Sequence, residues 1–172
     1  MQGGLEPTQA EFHEAITNRA DRWFSACLKI TRNRAMAEDA VQEALLSAWS
    51  KRSQFQQDAR LETWIHRIAV NAALQQLRKN KPAYFDSLDF EVEDQAETQE
   101  DSQHADELER NLEKALRHLS DIERVCFVLK HIEQWRLKEI AEELDTNIGT
   151  VKQALFRGVR KLRTRMTVLL GV

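Results

Sequence analysis

The chain is poor in residues that break helices, cross-link chains or bind metals. Its 172 residues include five glycines, two prolines and two cysteines. Between Leu5 and Lys81, Pro7 is the only proline and there is no glycine, so nothing further along this block interrupts long helices. Cys27 and Cys126 each lie in an apolar helical pattern, which predicts two buried thiols rather than a disulfide or a metal pair.

Signals for membrane insertion and for catalysis are also missing. No apolar run approaches the roughly 20 residues needed to cross a bilayer, and the first residues lack the basic start and apolar stretch of a secretory signal. We therefore expect a cytoplasmic protein without membrane insertion. The histidines are scattered, and the sequence shows no Cys/His cluster, Gly-rich phosphate loop or nucleophile–base pair. These absences predict no enzyme activity, catalytic residue, metal or cofactor.

The formal net charge of -3 hides an uneven distribution of charge along the chain. Residues 1–81 hold twelve basic and nine acidic residues, and residues 108–172 hold thirteen and nine. Residues 82–107 hold ten acidic residues and no Lys or Arg. This pattern predicts two basic domains joined by a flexible acidic linker. The linker is either a solvated spacer or a mobile polyanion that occupies basic surfaces in place of phosphate.

Apolar residues recur at helical spacing in both domains, which predicts an all-α fold. In the first domain, the second helix is predicted over 37–51 and the third over 61–79, with Trp49 and Trp64 facing the core. The residues of the second helix expected to face inward are Ala37, Val41, Ala44, Leu45, Ala48 and Trp49. In the second domain, Ser120 followed by Glu123 predicts a capping box at a helix start.

The last quarter of the chain predicts a helix-turn-helix. A short apolar pattern ends at Leu144, Asn147 can cap the next helix, and the segment after Ile148 has six basic residues and no acid. The residues expected to read base edges are Lys152, Gln153, Phe156 and Arg157. The residues expected to hold phosphates are Arg160, Lys161 and Arg163. The alternative is a solvated basic helix that binds nothing.

Two surfaces of the first domain carry weaker signals. Asp39, Gln42 and Glu43 share one helix face, which suits a basic protein partner or a merely solvated surface. Aromatic, basic and amide residues alternate over 55–79, a composition that suits single-stranded DNA. The residues on the solvent side of the third helix are Arg60, Arg67, Asn71, Gln75, Arg78 and Lys79.

Two stretches resemble known sequence motifs in the right order. Residues 37–49, Ala-Glu-Asp-Ala-Val-Gln-Glu-Ala-Leu-Leu-Ser-Ala-Trp, and 63–71, Thr-Trp-Ile-His-Arg-Ile-Ala-Val-Asn, resemble region 2 of bacterial sigma factors. Residues 119–163 resemble region 4, from Leu-Ser-Asp-Ile-Glu-Arg to Arg-Lys-Leu-Arg. With only these two regions and a short linker, the chain is most similar to the extracytoplasmic-function (ECF) group.

The resemblance implies a role for each surface. The helix with Asp39, Gln42 and Glu43 would dock on the β′ clamp helices of core RNA polymerase. The β flap of the polymerase would be a further point of contact. The final helix would read the minus-35 promoter element. The minus-10 element would be melted and captured by residues 55–79, with Asn71 at the captured base. The residues thus assigned to the minus-10 element are Arg60, Arg67, Asn71, Arg78 and Lys79. The linker would thread toward the RNA exit channel, and an anti-sigma partner would hold the protein inactive.

The chain departs from the family at three places. Gln153 and Ala154 follow the Gly-Thr-Val-Lys motif where Ser and Arg are usual, so the minus-35 preference does not transfer. Gln134-Trp135 replaces a frequent glycine before the supporting helix, and the turn Asp145-Thr146-Asn147 lacks the usual glycine. Two rival functions stay open: a stand-alone helix-turn-helix regulator that does not bind polymerase, and an adaptor that has lost promoter use.

Overall fold

The computed structural model describes residues 5–80 and 107–170. The regular elements in these two ranges are helices, in agreement with the predicted all-α fold. The chain divides into two compact units, Met1–Pro82 and Ala83–Val172. The predicted acidic linker lies outside the described residues, except for Glu107, where a helix begins.

Three long helices form the first unit: α1 (Gln9–Thr31), α2 (Arg34–Ser50) and α3 (Leu61–Asn80). A short 3-10 turn, Arg52–Gln54, follows α2. Each of the three long helices packs against the other two, and the large side chains of Trp23, Ile30, Ile65 and Leu77 are buried. The bounds of α2 and α3 are close to the predicted ranges. Each of these two helices exposes one face to solvent.

Side-chain caps determine where the helices of the first unit begin. Thr8 and Glu11 form a capping box at the start of α1. Asn33 Oδ1 accepts a hydrogen bond from the Met36 N–H at 3.0 Å, so α2 begins at Arg34, three residues before the predicted start. Such a cap satisfies a backbone donor that the first helical turn would otherwise leave unpaired.

The buried face of α2 is an alanine stripe. Ala37, Ala40, Ala44 and Ala48 are each at most 1% exposed, because small side chains let neighbouring helices approach closely. The prediction that Trp49 faces the core is wrong, since it is 40% exposed. It lies beside the stripe, edge-on to Phe12 with ring centroids 5.1 Å apart. The Arg52 guanidinium stacks 4.1 Å above its ring.

The described part of the second unit, residues 107–170, contains four α-helices: α4 (Glu107–Leu116), α5 (Asp121–Phe127), α6 (Leu137–Glu143) and α7 (Ile148–Leu170). A π-helical turn, Val128–Ile132, continues from α5. The helices α4, α5 and α6 all pack against α7. One apolar cluster joins α4 to α7 through Leu116, Leu119 and Leu162. The long α7 is thereby supported along one side and exposed along the other.

The capping box predicted at α5 is confirmed. The Ser120 N–H donates to Glu123 Oε1 at 2.9 Å, and Ser120 Oγ accepts from the Glu123 N–H at 3.3 Å. A capping box leaves one carboxylate oxygen of its Glu available for other partners. Glu123 also uses both oxygens in contacts with Arg157 and Lys161 of α7.

Two departures from the resembled family coincide with left-handed backbone. Gln134 has φ 59° and Asp145 has φ 53°, a region that glycine occupies without steric cost. We expect Gln134→Gly to raise the free energy of unfolding by about 1 kcal/mol, because the strain at Cβ disappears. Urea denaturation followed by circular dichroism would measure the change.

The matched control is Gln153→Gly, which places the same substitution at an exposed position inside α7. There the added backbone freedom should lower stability by about 1 kcal/mol. If both variants lose stability equally, Gln134 does not have the left-handed conformation.

Candidate nucleic-acid interface

The beginning of α7 is held by a side-chain cap and by α6. Asn147 Oδ1 accepts hydrogen bonds from the Thr150 N–H at 2.8 Å and from the Thr150 hydroxyl at 3.2 Å, which confirms the predicted cap. Ile140 and Leu144 of the supporting segment are buried. The sequence-predicted helix-turn-helix is therefore present, with its second helix anchored at the end that would enter a major groove.

The outer face of α7 combines basic, amide and aromatic side chains. Lys152, Gln153 and Arg160 are exposed, and Phe156 is 70% exposed. The opposite face of the helix is buried through Val151, Ala154 and Leu162. Because Phe156 contributes so little to the core, its ring is available to contact a thymine methyl, while Gln153 can pair with an adenine edge.

Two of the seven residues predicted to contact the minus-35 element, Arg157 and Lys161, have an intramolecular partner. Arg157 Nε lies 3.3 Å from Glu123 Oε2, and Lys161 Nζ lies 2.7 Å from Glu123 Oε1. One terminal nitrogen of Arg157, Nη2, is buried without a hydrogen-bond partner. In the structure these two cations therefore pair with a buried carboxylate of α5. That they contact DNA stays a prediction.

Glu123 is charged although its side chain is only 2% exposed. Burial by itself would raise the pKa of this carboxyl group. The hydrogen bonds from Lys161 and from the Ser120 N–H, together with the charge of Lys161, outweigh burial and hold the pKa below its ordinary value. Sequence reasoning identified Glu123 only as a cap. The signal it missed is an acidic residue between the apolar residues Ile122 and Val125, in a domain whose final helix has six basic residues and no acid.

Both cysteines are buried, as predicted. Burial raises the pKa of the Cys126 thiol to about 12, with the Arg157 charge opposing the shift. A thiol with this pKa stays protonated near neutral pH and is a poor nucleophile or metal ligand. Cys126 is therefore a core residue of the second unit.

The acidic and amide patch of the first unit is exposed. Asp39, Gln42 and Glu43 all lie on the solvent face of α2, opposite the alanine stripe. Leu46 shares this face and is 74% exposed. Sequence reasoning missed Leu46, although its spacing of three and four residues from Glu43 and Gln42 places it there. We refer to Asp39, Gln42, Glu43 and Leu46 as the α2 patch.

The predicted minus-10 residues differ in exposure. Arg60 and Lys79 are exposed, whereas Arg67, Asn71 and Arg78 are partly buried. Arg60 Nη1 lies 3.9 Å from Glu62 Oε1. The Asn71 Oδ1 atom is buried without a hydrogen-bond partner. Three of these five residues are therefore only partly accessible to solvent.

Aromatic residues accompany this region. The rings of Phe55 and Trp64 lie 5.2 Å apart and are tilted by 49°, and both residues are partly buried. A cleft of about 600 Å³ lies between the start of α1 and the segment that includes Phe55 and Arg60. The aromatic pair thus joins the segment before α3 to the first turn of α3, next to this cleft.

Residues 5–80 and 107–170 show neither a metal-ion site nor a membrane-spanning helix. Within these ranges no group of three or more His, Cys, Asp or Glu side chains could hold a metal ion. No helix of the described part of the chain has the length and apolar character needed to cross a membrane.

Comparisons with known protein families match both units. The model described as "Sigma-70 region 2" matches residues 16–82, and the model described as "Sigma-70, region 4" matches residues 109–162. The two matches fall on the α1–α3 unit and on the α4–α7 unit.

Individual proteins match over most of their lengths. The chain is 31% identical to the ECF RNA polymerase sigma factor SigW of Bacillus subtilis, over 92% of this chain and 90% of SigW. It is 31% identical to the RNA polymerase sigma factor CarQ of Myxococcus xanthus, over 95% and 93%. Among solved structures, it is similar to the sigma factor RpoE of Bartonella quintana in complex with the anti-sigma factor NepR. That match has a TM-score of 0.56 and 25% identity, covering 94% of this chain and 97% of RpoE.

Proposed function

The chain belongs to the ECF RNA polymerase sigma factors of the sigma-70 family, and from this membership we propose that it binds core RNA polymerase and directs promoter-specific transcription initiation. It would recognise a minus-35 and a minus-10 element and assist melting of the second. As an initiation factor it leaves the chemistry of RNA synthesis to the polymerase. Because it would act on polymerase and chromosomal DNA, we propose a cytoplasmic location.

The observation that carries this proposal is the outer face of α7. A capped recognition helix presents Lys152, Gln153, Phe156 and Arg160 on the side opposite its buried face. Side chains near the start of such a helix reach base edges, and cations further along contact phosphates. We assign the first three residues to minus-35 bases and Arg160 to the backbone, with Lys161 and Arg157 available once they leave Glu123.

The α2 patch supports polymerase docking. Its two carboxylates and one amide share a helix face with an exposed leucine, and protein interfaces commonly combine polar and apolar groups. We propose that this surface binds the β′ clamp helices and that the α4–α7 unit binds the β flap. The α2 patch also separates this proposal from a stand-alone regulator, which has no use for it.

The residues around α3 are proposed to hold the single-stranded minus-10 element. Exposed Arg60 and Lys79 would contact the backbone. Partly buried Arg67 and Arg78 would line the strand's path, and Asn71 would meet the captured base. A buried amide oxygen without a partner gains a hydrogen bond when a base donor approaches it.

The experiment that tests the function is transcription of genomic DNA by core RNA polymerase with and without the purified chain, followed by sequencing of the 5′ ends. We expect start sites that depend on the chain and share a two-part upstream element. Weak binding to each element is sufficient, because the second contact becomes intramolecular once the first has formed.

Two outcomes would contradict the proposal and identify its rivals. If the chain fails to co-elute with core polymerase and binds duplex DNA tightly by itself, it is a stand-alone helix-turn-helix regulator. If it co-elutes but produces no new transcripts, it is an adaptor.

An anti-sigma partner is also proposed. The similar RpoE chain was solved in complex with the anti-sigma factor NepR, and the α2 patch would be occupied by either polymerase or an inhibitor.

A further inference from the structure

Glu123 is the meeting point of α5 and α7. Its carboxylate accepts from the Ser120 N–H at 2.9 Å, from Lys161 Nζ at 2.7 Å and from Arg157 Nε at 3.3 Å. The two helices cross closely here, since a Cβ built on Gly158 would lie 3.5 Å from the Glu123 carbonyl oxygen. A single buried acid thus holds two cations on successive turns of the proposed recognition helix.

These two cations form a large share of the positive charge on α7. The helix has six basic residues and no acidic residue, so it has no acid of its own to balance them. The remaining basic residues are Lys152, Arg160, Arg163 and Arg165, all exposed. The side chains of Arg157 and Lys161 are 34% and 43% exposed. Both lie near enough to the outer face to reach a phosphate if Glu123 releases them.

A cation that is already paired with a buried carboxylate contributes little to sequence-independent DNA binding. That binding is driven by release of the counterions condensed on DNA, by an amount that depends on how many phosphates the protein neutralises. Moving Lys161 from Glu123 to a phosphate would leave a buried negative charge without its partner, which is unfavourable. Random DNA offers no base contact to offset that cost, whereas a matched promoter element does.

We propose that Glu123 is a specificity-determining residue, which withholds Arg157 and Lys161 from indiscriminate phosphate contacts and so lowers the affinity of α7 for non-promoter DNA. The inference rests on the proposed function of α7 as a reader of duplex DNA. Glu123 acts through the two cations and is a positioning residue rather than a contact to DNA.

The test is the substitution Glu123→Gln in the full chain. Glutamine keeps the capping box, because its amide oxygen still accepts from the Ser120 N–H, but it no longer carries the charge that holds the two cations. Binding of a 30-base-pair duplex of random sequence would be measured by fluorescence anisotropy between 20 and 150 mM salt. Thermal unfolding would show that the variant is folded.

We expect a steeper salt dependence. Each released cation that contacts a phosphate should add about 0.9 to the slope of log Kobs against log salt, so two cations add about 1.8. At 0.1 M salt this corresponds to affinity for random DNA that is about eightfold higher for one cation and about sixtyfold higher for two. A purely structural role of Glu123 would not increase this slope.

Two further variants make the result specific. Glu142→Gln removes the same charge from an exposed position on α6 and should leave the slope near that of the wild type. Adding Lys161→Gln to Glu123→Gln removes one released cation. The slope should therefore be smaller by about 0.9 than that of Glu123→Gln alone.

The outcomes distinguish the inference from the proposed function. If the wild type binds the duplex with a clear salt dependence and folded Glu123→Gln has the same slope, the inference is overturned while the DNA-binding role stands. If neither protein binds the duplex even at 20 mM salt, the role of α7 as a DNA reader fails, and the inference fails with it.

Discussion

Asp39→Arg and Glu43→Arg should each abolish co-elution with core RNA polymerase while leaving the three-helix unit folded. Both side chains are exposed on α2 and lie away from its buried alanine stripe, so the fold does not depend on them. At an interface with a basic partner, a reversed charge replaces attraction by like-charge repulsion, which costs several kcal/mol. Size-exclusion chromatography with purified core enzyme would measure the loss.

The control for this prediction is Asp21→Arg, which makes the same reversal at an exposed position on α1. It should bind polymerase as the wild type does. Leu46→Ala should also weaken binding, since an exposed apolar side chain inside a polar patch becomes buried in a complex. Normal transcription by the Asp39 and Glu43 variants would refute the docking assignment.

Arg160→Glu is the second change with a large expected effect. Arg160 lies at the centre of the outer face of α7, opposite the buried residues, and is exposed. Placing a carboxylate next to phosphates removes one cation and adds a repulsion, so promoter binding by the holoenzyme should fall by at least about tenfold. Polymerase binding should be unchanged. Run-off transcription from promoters found by 5′-end sequencing would measure the effect.

The matched control is Arg165→Glu, five residues further along the same helix. At about 100° per residue it lies well away from the outer face defined by Arg160, although it too is exposed. The predicted loss should be several-fold smaller. Equal losses for both variants would show that only the total charge of α7 matters, and that its outer face has no particular role in promoter binding.

The two sets of variants divide the function into separable halves. An α2 variant should retain the DNA-binding helix but lose the polymerase, and an α7 variant should retain the polymerase but lose the promoter. Each unit has its own buried core, and each set of variants changes exposed residues of one unit only. A stand-alone regulator would show no effect of the α2 changes on its DNA binding.

Local features of the structure were predictable from sequence. The capping box at Ser120 and the cap at Asn147 were predicted correctly, because a cap joins a side chain to a backbone group only three residues away. The two basic blocks and the helical periodicity are likewise visible in the order of residues. The helix-turn-helix and the family resemblance followed from these local patterns.

Only the tertiary structure could assign Trp49 and the partners of Glu123. Helical periodicity counted Trp49 among the inward residues of α2, but close packing on four alanines leaves its side chain at the edge of the stripe, 40% exposed. The pairs of Glu123 with Arg157 and Lys161 span 34 and 38 residues. Over such a separation, spacing along the sequence cannot show which side chains meet.

The amino-acid order by itself therefore determined that the chain is helical, that its charge falls into two basic blocks and an acidic connection, and that its last helix suits DNA. The tertiary structure decided which of those basic side chains are exposed and which are held by a buried acid. The physical reason is that helix formation and capping depend on neighbours within about one turn, whereas burial and ion pairing depend on helices that meet only after folding.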